Sequence, residues 1–261
     1  MFVRFFLLLA YILPLAAETT MDSVAPPAES APVALALARG PSGVRFFIPN
    51  GETSIRAGVL FGSGDGGWSY WEERVCRHLL RRGFAVAGID FRAYAAESYN
   101  VEQLREDYRR IAAELRRRSG PKGVESLLYG GWSMGAEQAI PAAARRSARP
   151  AGLLGFLMVA PGGRGRYGLE LPDQLGLAPR GEDTFSLNEL APASADLRFA
   201  VFHGSLDLVD DLDWQRDLSL DYRLWTVPRV FHDFAGAGAE FLAAMDEAVD
   251  WLLDVAKPLK K

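Results

Sequence analysis

One pentapeptide in this chain has the make-up of a nucleophile turn. Gly131-Trp132-Ser133-Met134-Gly135 sets a serine between two glycines, after the apolar run Ser126–Tyr129 and before a helix-compatible run. A serine at a sharp strand-to-helix turn exposes its hydroxyl, and small neighbours let the crossing backbones approach. The helix start that follows favours negative charge developing there. The competing reading is a tight turn with an unreactive serine, and the strand–turn–helix setting weighs against it.

A serine becomes a nucleophile when a base takes its proton and a carboxylate orients that base, in the chain order Ser, Asp, His for this kind of turn. The chain has three histidines. His78 lies upstream in an amphipathic stretch and reads as a surface or packing residue. His203 closes the run Phe199–Phe202 and reads as structural. His232 opens the loop His232-Asp233-Phe234-Ala235-Gly236 and is the expected base. Asp207, in His203-Gly204-Ser205-Leu206-Asp207, is the expected acid. Asp210, Asp211 and Asp213 compete with it, although acidic residues also suit a solvated helix start.

Acyl chemistry at Ser133 further needs donors for an oxyanion. The Met134 N–H is the first. The second is expected from Gly62-Ser63-Gly64-Asp65-Gly66-Gly67-Trp68, at Gly64 or Asp65, because glycines let backbone donors converge without Cβ obstruction. A phosphate-cradling loop is the rival reading, but no Lys-Ser/Thr pair follows. Asp65 also offers a carboxylate to a substrate ammonium; its plainer reading is turn capping.

Such residues need elements to position them. Candidate strands are Val44–Ile48, Ala57–Phe61, Ala85–Ile89, Ser126–Tyr129, Leu153–Val159, Phe199–Phe202 and Arg223–Val227. Candidate helices are Tyr70–Arg82, Val101–Arg118, Met134–Arg146 and Phe241–Val255. The alternation predicts an α/β fold of the α/β-hydrolase type: a mostly parallel sheet with helices on both faces and function at the carboxyl ends of the strands. Pro161 to Ala195 breaks the rhythm with glycines and prolines and reads as a lid-like or binding insertion.

The chain has 261 residues, 29 Lys+Arg against 33 Asp+Glu, 49% hydrophobic and 24% charged residues. These values exclude a disordered chain and a multi-pass membrane protein, and the acidic balance speaks against nucleic acid as a partner. The basic run Arg105 to Arg118 is interleaved with Glu102, Glu106 and Glu114 and reads as a solvated helix face rather than a lipid-binding one. Cys76 is the single cysteine, so no intramolecular disulfide forms. Phe5 to Leu15 is an apolar run too short to span a bilayer, and residues 1–17 read as a signal peptide, or alternatively an uncleaved anchor. Export to the periplasm is the expectation. Residues 18–42 are rich in Ala and Pro and read as a linker, leaving 43–257 as the folded domain. No metal or organic cofactor is expected, since no His/Cys ligand pattern is present.

The chain resembles the VirJ/AcvB family of bacterial virulence proteins, within the α/β-hydrolases. The matching stretches are Ser63-Gly64-Asp65-Gly66-Gly67-Trp68, Gly88-Ile89-Asp90 with Arg92 and Tyr94, Gly131-Trp132-Ser133-Met134-Gly135-Ala136, and His232-Asp233-Phe234. The resemblance implies an exported serine hydrolase whose relatives include aminoacyl-phosphatidylglycerol hydrolases, with Ser133, Asp207 and His232 as the triad. It also implies substrate contacts at Asp65, Trp68, Asp90, Arg92 and Tyr94, a lipid ester as substrate and contact with a membrane surface. The sequence departs from the family at Ala95-Ala96, where bulky aromatics are common, and at the elbow, where Tyr-Ser-Phe-Gly often stands. Two other readings stay open: a non-catalytic periplasmic binding or secretion-accessory protein, and a generic esterase.

Overall fold

The computed structural model describes residues 30–254, apart from 51–53, 121–122, 175–176, 178, 210–211, 217 and 235. The expected signal peptide and the first part of the linker lie outside the described residues, as do Asp210 and Asp211.

Eight strands form one sheet: β1 (Val33–Leu37), β2 (Gly40–Phe47), β3 (Gly58–Gly62), β4 (Ala85–Ile89), β5 (Leu127–Trp132), β6 (Leu153–Val159), β9 (Arg198–Gly204) and β10 (Asp221–Val227). Their order is β1-β2-β4-β3-β5-β6-β9-β10. The pairs β1–β2 and β2–β4 are antiparallel and every other neighbour is parallel. The central strands are continuous apolar runs because helices cover both faces. On one face, Val59, Phe61, Leu157 and Val159 meet Val75 and Leu79 of α1 (Tyr70–Arg81) and Phe241 and Met245 of α7 (Ala239–Leu253). On the other, Leu60, Phe156 and Met158 meet Leu104 and Ile111 of α3 (Val101–Arg118) and Ala139 and Ile140 of α4 (Met134–Ala143). The fold is the expected α/β-hydrolase arrangement.

Helix α3 begins and ends where its sequence says. Asn100 accepts from the Glu102 and Gln103 N–H groups, and the Gln103 side chain returns to the Asn100 N–H, a capping box. Five of its six arginines pair within the helix, Arg105 with Glu102, Arg109 and Arg110 with Glu106, Arg117 and Arg118 with Glu114, while Arg116 donates to the Val124 and Ala151 carbonyls. The basic run is a solvated, salt-bridged face.

One expectation needs correction. Residues 33–42 are not linker but the antiparallel hairpin of β1 and the start of β2. Its turn is held by the buried Asp107 carboxylate of α3, which accepts from the Ala38 and Arg39 N–H groups. The segment from Pro161 to Ala195 has structure of its own: β7 (Arg164–Arg166) pairs with β8 (Thr184–Ser186), accompanied by α5 (Leu171–Gln174) and α6 (Leu187–Leu190). It is fastened to the site-bearing helix, since Gln138 Nε2 donates to the Arg166 carbonyl and the Gly162 N–H to Glu137 Oε1.

Candidate active site

Ser133 stands between β5 and α4 with φ 49° and ψ −119°, a backbone conformation that a non-glycine residue rarely adopts. The crossing of this turn over the end of β3 explains both flanking glycines. A Cβ on Gly131 would lie 2.4 Å from the Gly62 carbonyl oxygen, and one on Gly135 2.3 Å from the same atom. Gly131 also has φ 153°.

Two other strand ends deliver the partners. Asp207 follows β9 and His232 follows β10, neighbouring parallel strands. His232 Nε2 is 3.1 Å from Ser133 Oγ, and His232 Nδ1 is 3.1 Å from Asp207 Oδ2. An ionised carboxylate only accepts, so Nδ1 carries the proton and Nε2 is left to accept from the serine hydroxyl. The Asp207 side chain is fully buried, and its other oxygen accepts from the Val209 N–H at 2.9 Å. The His232 side chain keeps 24% exposure, open enough for a substrate to reach it. Asp213 instead pairs with Arg216. His203 has its Nδ1 4.0 Å from Asp207 Oδ2, and His78 of α1 bonds Asp246 of α7.

Met134 opens α4, so its N–H has no partner within the helix. The loop after β3 lies against the serine turn: a Cβ on Gly64 would be 3.7 Å from Ser133 Cβ. Ser63, fully buried, anchors that loop by accepting from the Phe91 N–H at 2.9 Å and donating to the Gly64 carbonyl at 3.0 Å. Glu72 sits beneath it. Burial raises the Glu72 carboxyl above its usual range, against opposing hydrogen bonds from Ser69 and the Gly64 backbone.

The residues assigned by resemblance divide. Asp65 is half-buried, one residue beyond the Gly64 contact. Asp90 caps α2 (Phe91–Tyr94) by accepting from the Ala93 N–H, and Arg92 is exposed with Nη1 3.5 Å from the Gly66 carbonyl, so both border the same loop. Trp68 and Tyr94 belong to the scaffold instead. The Trp68 ring covers Gly88 of β4 and stacks on Phe47, while its Nε1 donates to Glu73. Tyr94 is buried and its hydroxyl donates to Asp107 at 2.9 Å. A large aromatic beside a functional loop filled the core in both cases.

One residue was missed. Trp132, the variable position before the serine, donates from Nε1 to the His232 carbonyl at 3.0 Å and packs on Trp71. Nothing in the sequence distinguishes this bond from ordinary packing. Among the described residues, no group of three His, Cys, Asp or Glu side chains is placed to share a metal ion.

The geometry can be set beside known proteins. No curated protein matches the sequence. Among solved structures, XC6422 from Xanthomonas campestris, a serine hydrolase without a lid, has a TM-score of 0.56 at 20% identity, covering 87% of this chain and 97% of its own. Dienelactone hydrolase from Anabaena variabilis has a TM-score of 0.57 at 22% identity, covering 85% and 95%. Est1E from Butyrivibrio proteoclasticus has a TM-score of 0.61 at 15% identity, covering 87% and 100%. These likenesses agree on the α/β-hydrolase fold. Residues 57–200, more than half of the chain, match the family model described as bacterial virulence protein (VirJ). The chain therefore belongs to the VirJ family.

Proposed function

We propose that the protein is an exported serine hydrolase that cleaves a carboxylic ester, its substrate an aminoacyl-phosphatidylglycerol or a related lipid ester. The observation that carries the reaction is the line Ser133 Oγ, His232 Nε2, His232 Nδ1, Asp207 Oδ2, with both gaps at 3.1 Å. His232 takes the hydroxyl proton as Ser133 Oγ attacks the ester carbonyl, and the buried Asp207 carboxylate stabilises the imidazolium that forms. The Met134 N–H and a donor at Gly64 or Asp65 receive the oxyanion. His232 then protonates the departing alcohol. A water, deprotonated by the same imidazole, releases the acyl group from the serine.

The substrate class has separate support. An aminoacyl ester brings an ammonium group next to its carbonyl. Asp65, on the loop that meets the serine turn, and Asp90, which borders that loop at Gly67, are the carboxylates proposed to receive it. The test is turnover of lysyl- and alanyl-phosphatidylglycerol by the protein and by its Ser133→Ala variant. A loss of about a thousandfold or more in the variant is expected. Equal rates on neutral and aminoacyl esters, with Asp65→Asn unchanged, would remove the ammonium reading. No turnover of any ester would leave a binding protein on a hydrolase fold.

A further inference from the structure

We propose that His203 is a second imidazole on the triad acid, a positioning residue whose Nδ1–H is aimed at Asp207 Oδ2 and holds that carboxylate in line with His232. This rests on the reading of Ser133, His232 and Asp207 as a hydrolytic triad.

The sheet and one turn bring the two side chains together. His203 is the last residue but one of β9, and the register against β10 pairs it with Thr226. Gly204 follows. A Cβ there would lie 2.4 Å from the Val230 carbonyl oxygen, so only glycine lets β9 end so close to the segment that leads to His232. The Asp207 N–H then donates to the Gly204 carbonyl at 2.9 Å, a turn that folds the acid back towards the end of its own strand. His203 Nδ1 thereby lies 4.0 Å from Asp207 Oδ2, the oxygen that also meets His232 Nδ1 at 3.1 Å.

Among the described residues, His203 Nδ1 is buried and makes no hydrogen bond, and a buried polar atom left in that state is costly. The fully buried Asp207 carboxylate decides how the nitrogen is protonated. A bare Nδ1 would turn its lone pair on an anionic oxygen, whereas a protonated one presents an N–H, so the neighbouring charge favours the Nδ1–H tautomer. At 4.0 Å the pair is longer than a hydrogen bond, and the attraction is electrostatic, in surroundings that screen it little. The Val209 N–H holds Asp207 Oδ1, His232 holds Oδ2, and His203 draws on Oδ2 from its own strand, which resists rotation of the carboxylate about Cβ–Cγ. The serine proton moves when His232 is aligned, and that alignment comes from the carboxylate. His203 acts through Asp207 alone.

The experiment compares the full chain with His203→Asn, His203→Phe and His203→Gln on p-nitrophenyl acetate, beside thermal unfolding. An asparagine amide reaches the place of Nδ1, phenylalanine keeps the ring without a donor, and glutamine reaches the place of Nε2. The kcat of His203→Phe and His203→Gln is expected to fall about tenfold or more with KM unchanged, while His203→Asn stays within about threefold of the parent. A side chain that merely fills space gives the opposite order, because phenylalanine fills it better than asparagine. Should His203→Phe not fold, His203→Gln carries the comparison. Parent-like kcat without the Nδ1 donor, or a loss in His203→Asn as deep as in the other two, would overturn the assignment. A second readout needs no turnover. The His232 Nδ1–H proton resonance is expected to broaden and move upfield in His203→Phe and His203→Gln, and an unchanged resonance would also overturn the positioning role. A parent that hydrolyses no ester would remove the hydrolase reading instead, and the resonance would still decide whether His203 orients Asp207.

Discussion

Replacing Gly135 with alanine adds one methyl group at the tightest backbone crossing of the site. That methyl would lie 2.3 Å from the Gly62 carbonyl oxygen, 2.4 Å from its carbon and 2.6 Å from the Ser63 carbonyl oxygen. All three are backbone atoms, so no rotamer change relieves the overlap. Reaching 3.0 Å, below which real Cβ contacts essentially never occur, requires the two segments to part by about 0.7 Å. Gly62 leads directly into Ser63, Gly64 and Asp65, so this parting moves the second oxyanion donor away from Ser133. A displacement of that order costs about a hundredfold in kcat, with KM little changed because ground-state binding depends less on the donor. Overpacking is expected to cost about 1–3 kcal/mol in stability, read as a lower Tm. The assay is steady-state hydrolysis of a soluble ester beside thermal unfolding. Gly66→Ala is the control, since nothing stands within 4 Å of a Cβ there. Gly135→Ala with kcat within about threefold of the parent and an unchanged Tm would refute this account of how the elbow seats on β3.

Asp207→Asn keeps the shape of the acid but removes the charge that fixes the His232 tautomer, and kcat is expected to fall about 10⁴-fold; single-turnover hydrolysis measures it. Tyr94→Phe is expected to leave ester selectivity alone while costing about 1–2 kcal/mol, because the buried Asp107 carboxylate loses a donor; unfolding in urea checks this. Burial raises the Glu72 carboxyl above 4.5, so between that value and the raised one the folded chain holds a proton that the unfolded chain has released. The Glu72 contribution to stability is therefore fullest below 4.5 and declines as pH rises through the window. Glu72→Gln removes this slope, so the variant gains on the parent as pH rises above 4.5 in thermal unfolding; a gap that moves the other way contradicts the buried-carboxylate account.

How much the sequence reveals depends on which force fixes each residue. Ala85–Ile89, Leu153–Val159 and Val101–Arg118 are bounded in the structure where the sequence places them, because burial on both faces or a capping box sets their ends. Strand β1 is different. Val33-Ala-Leu-Ala-Leu is short and sits beside prolines, and its pairing depends on Asp107, some seventy residues away. Such long-range contacts leave no local periodicity. Ser133, Asp207 and His232 were legible because strand ends and glycines mark their loops. Trp68 and Tyr94 were not, since a tryptophan or tyrosine near a functional loop has the same sequence signature whether it faces a ligand or the core. Trp132 escaped notice because its bond is to a backbone carbonyl, and any residue supplies one.

That bond has a mechanical consequence. Ser133 and His232 are 99 positions apart, yet the residue next to the serine grips the backbone of the histidine. The two reacting side chains share one clamp, so thermal drift of the segment after β10 carries both together instead of opening the gap between them. Changes of length further along that segment, towards α7, are then absorbed beyond the clamp. The chain can vary its rim while the distance across which the proton moves stays fixed.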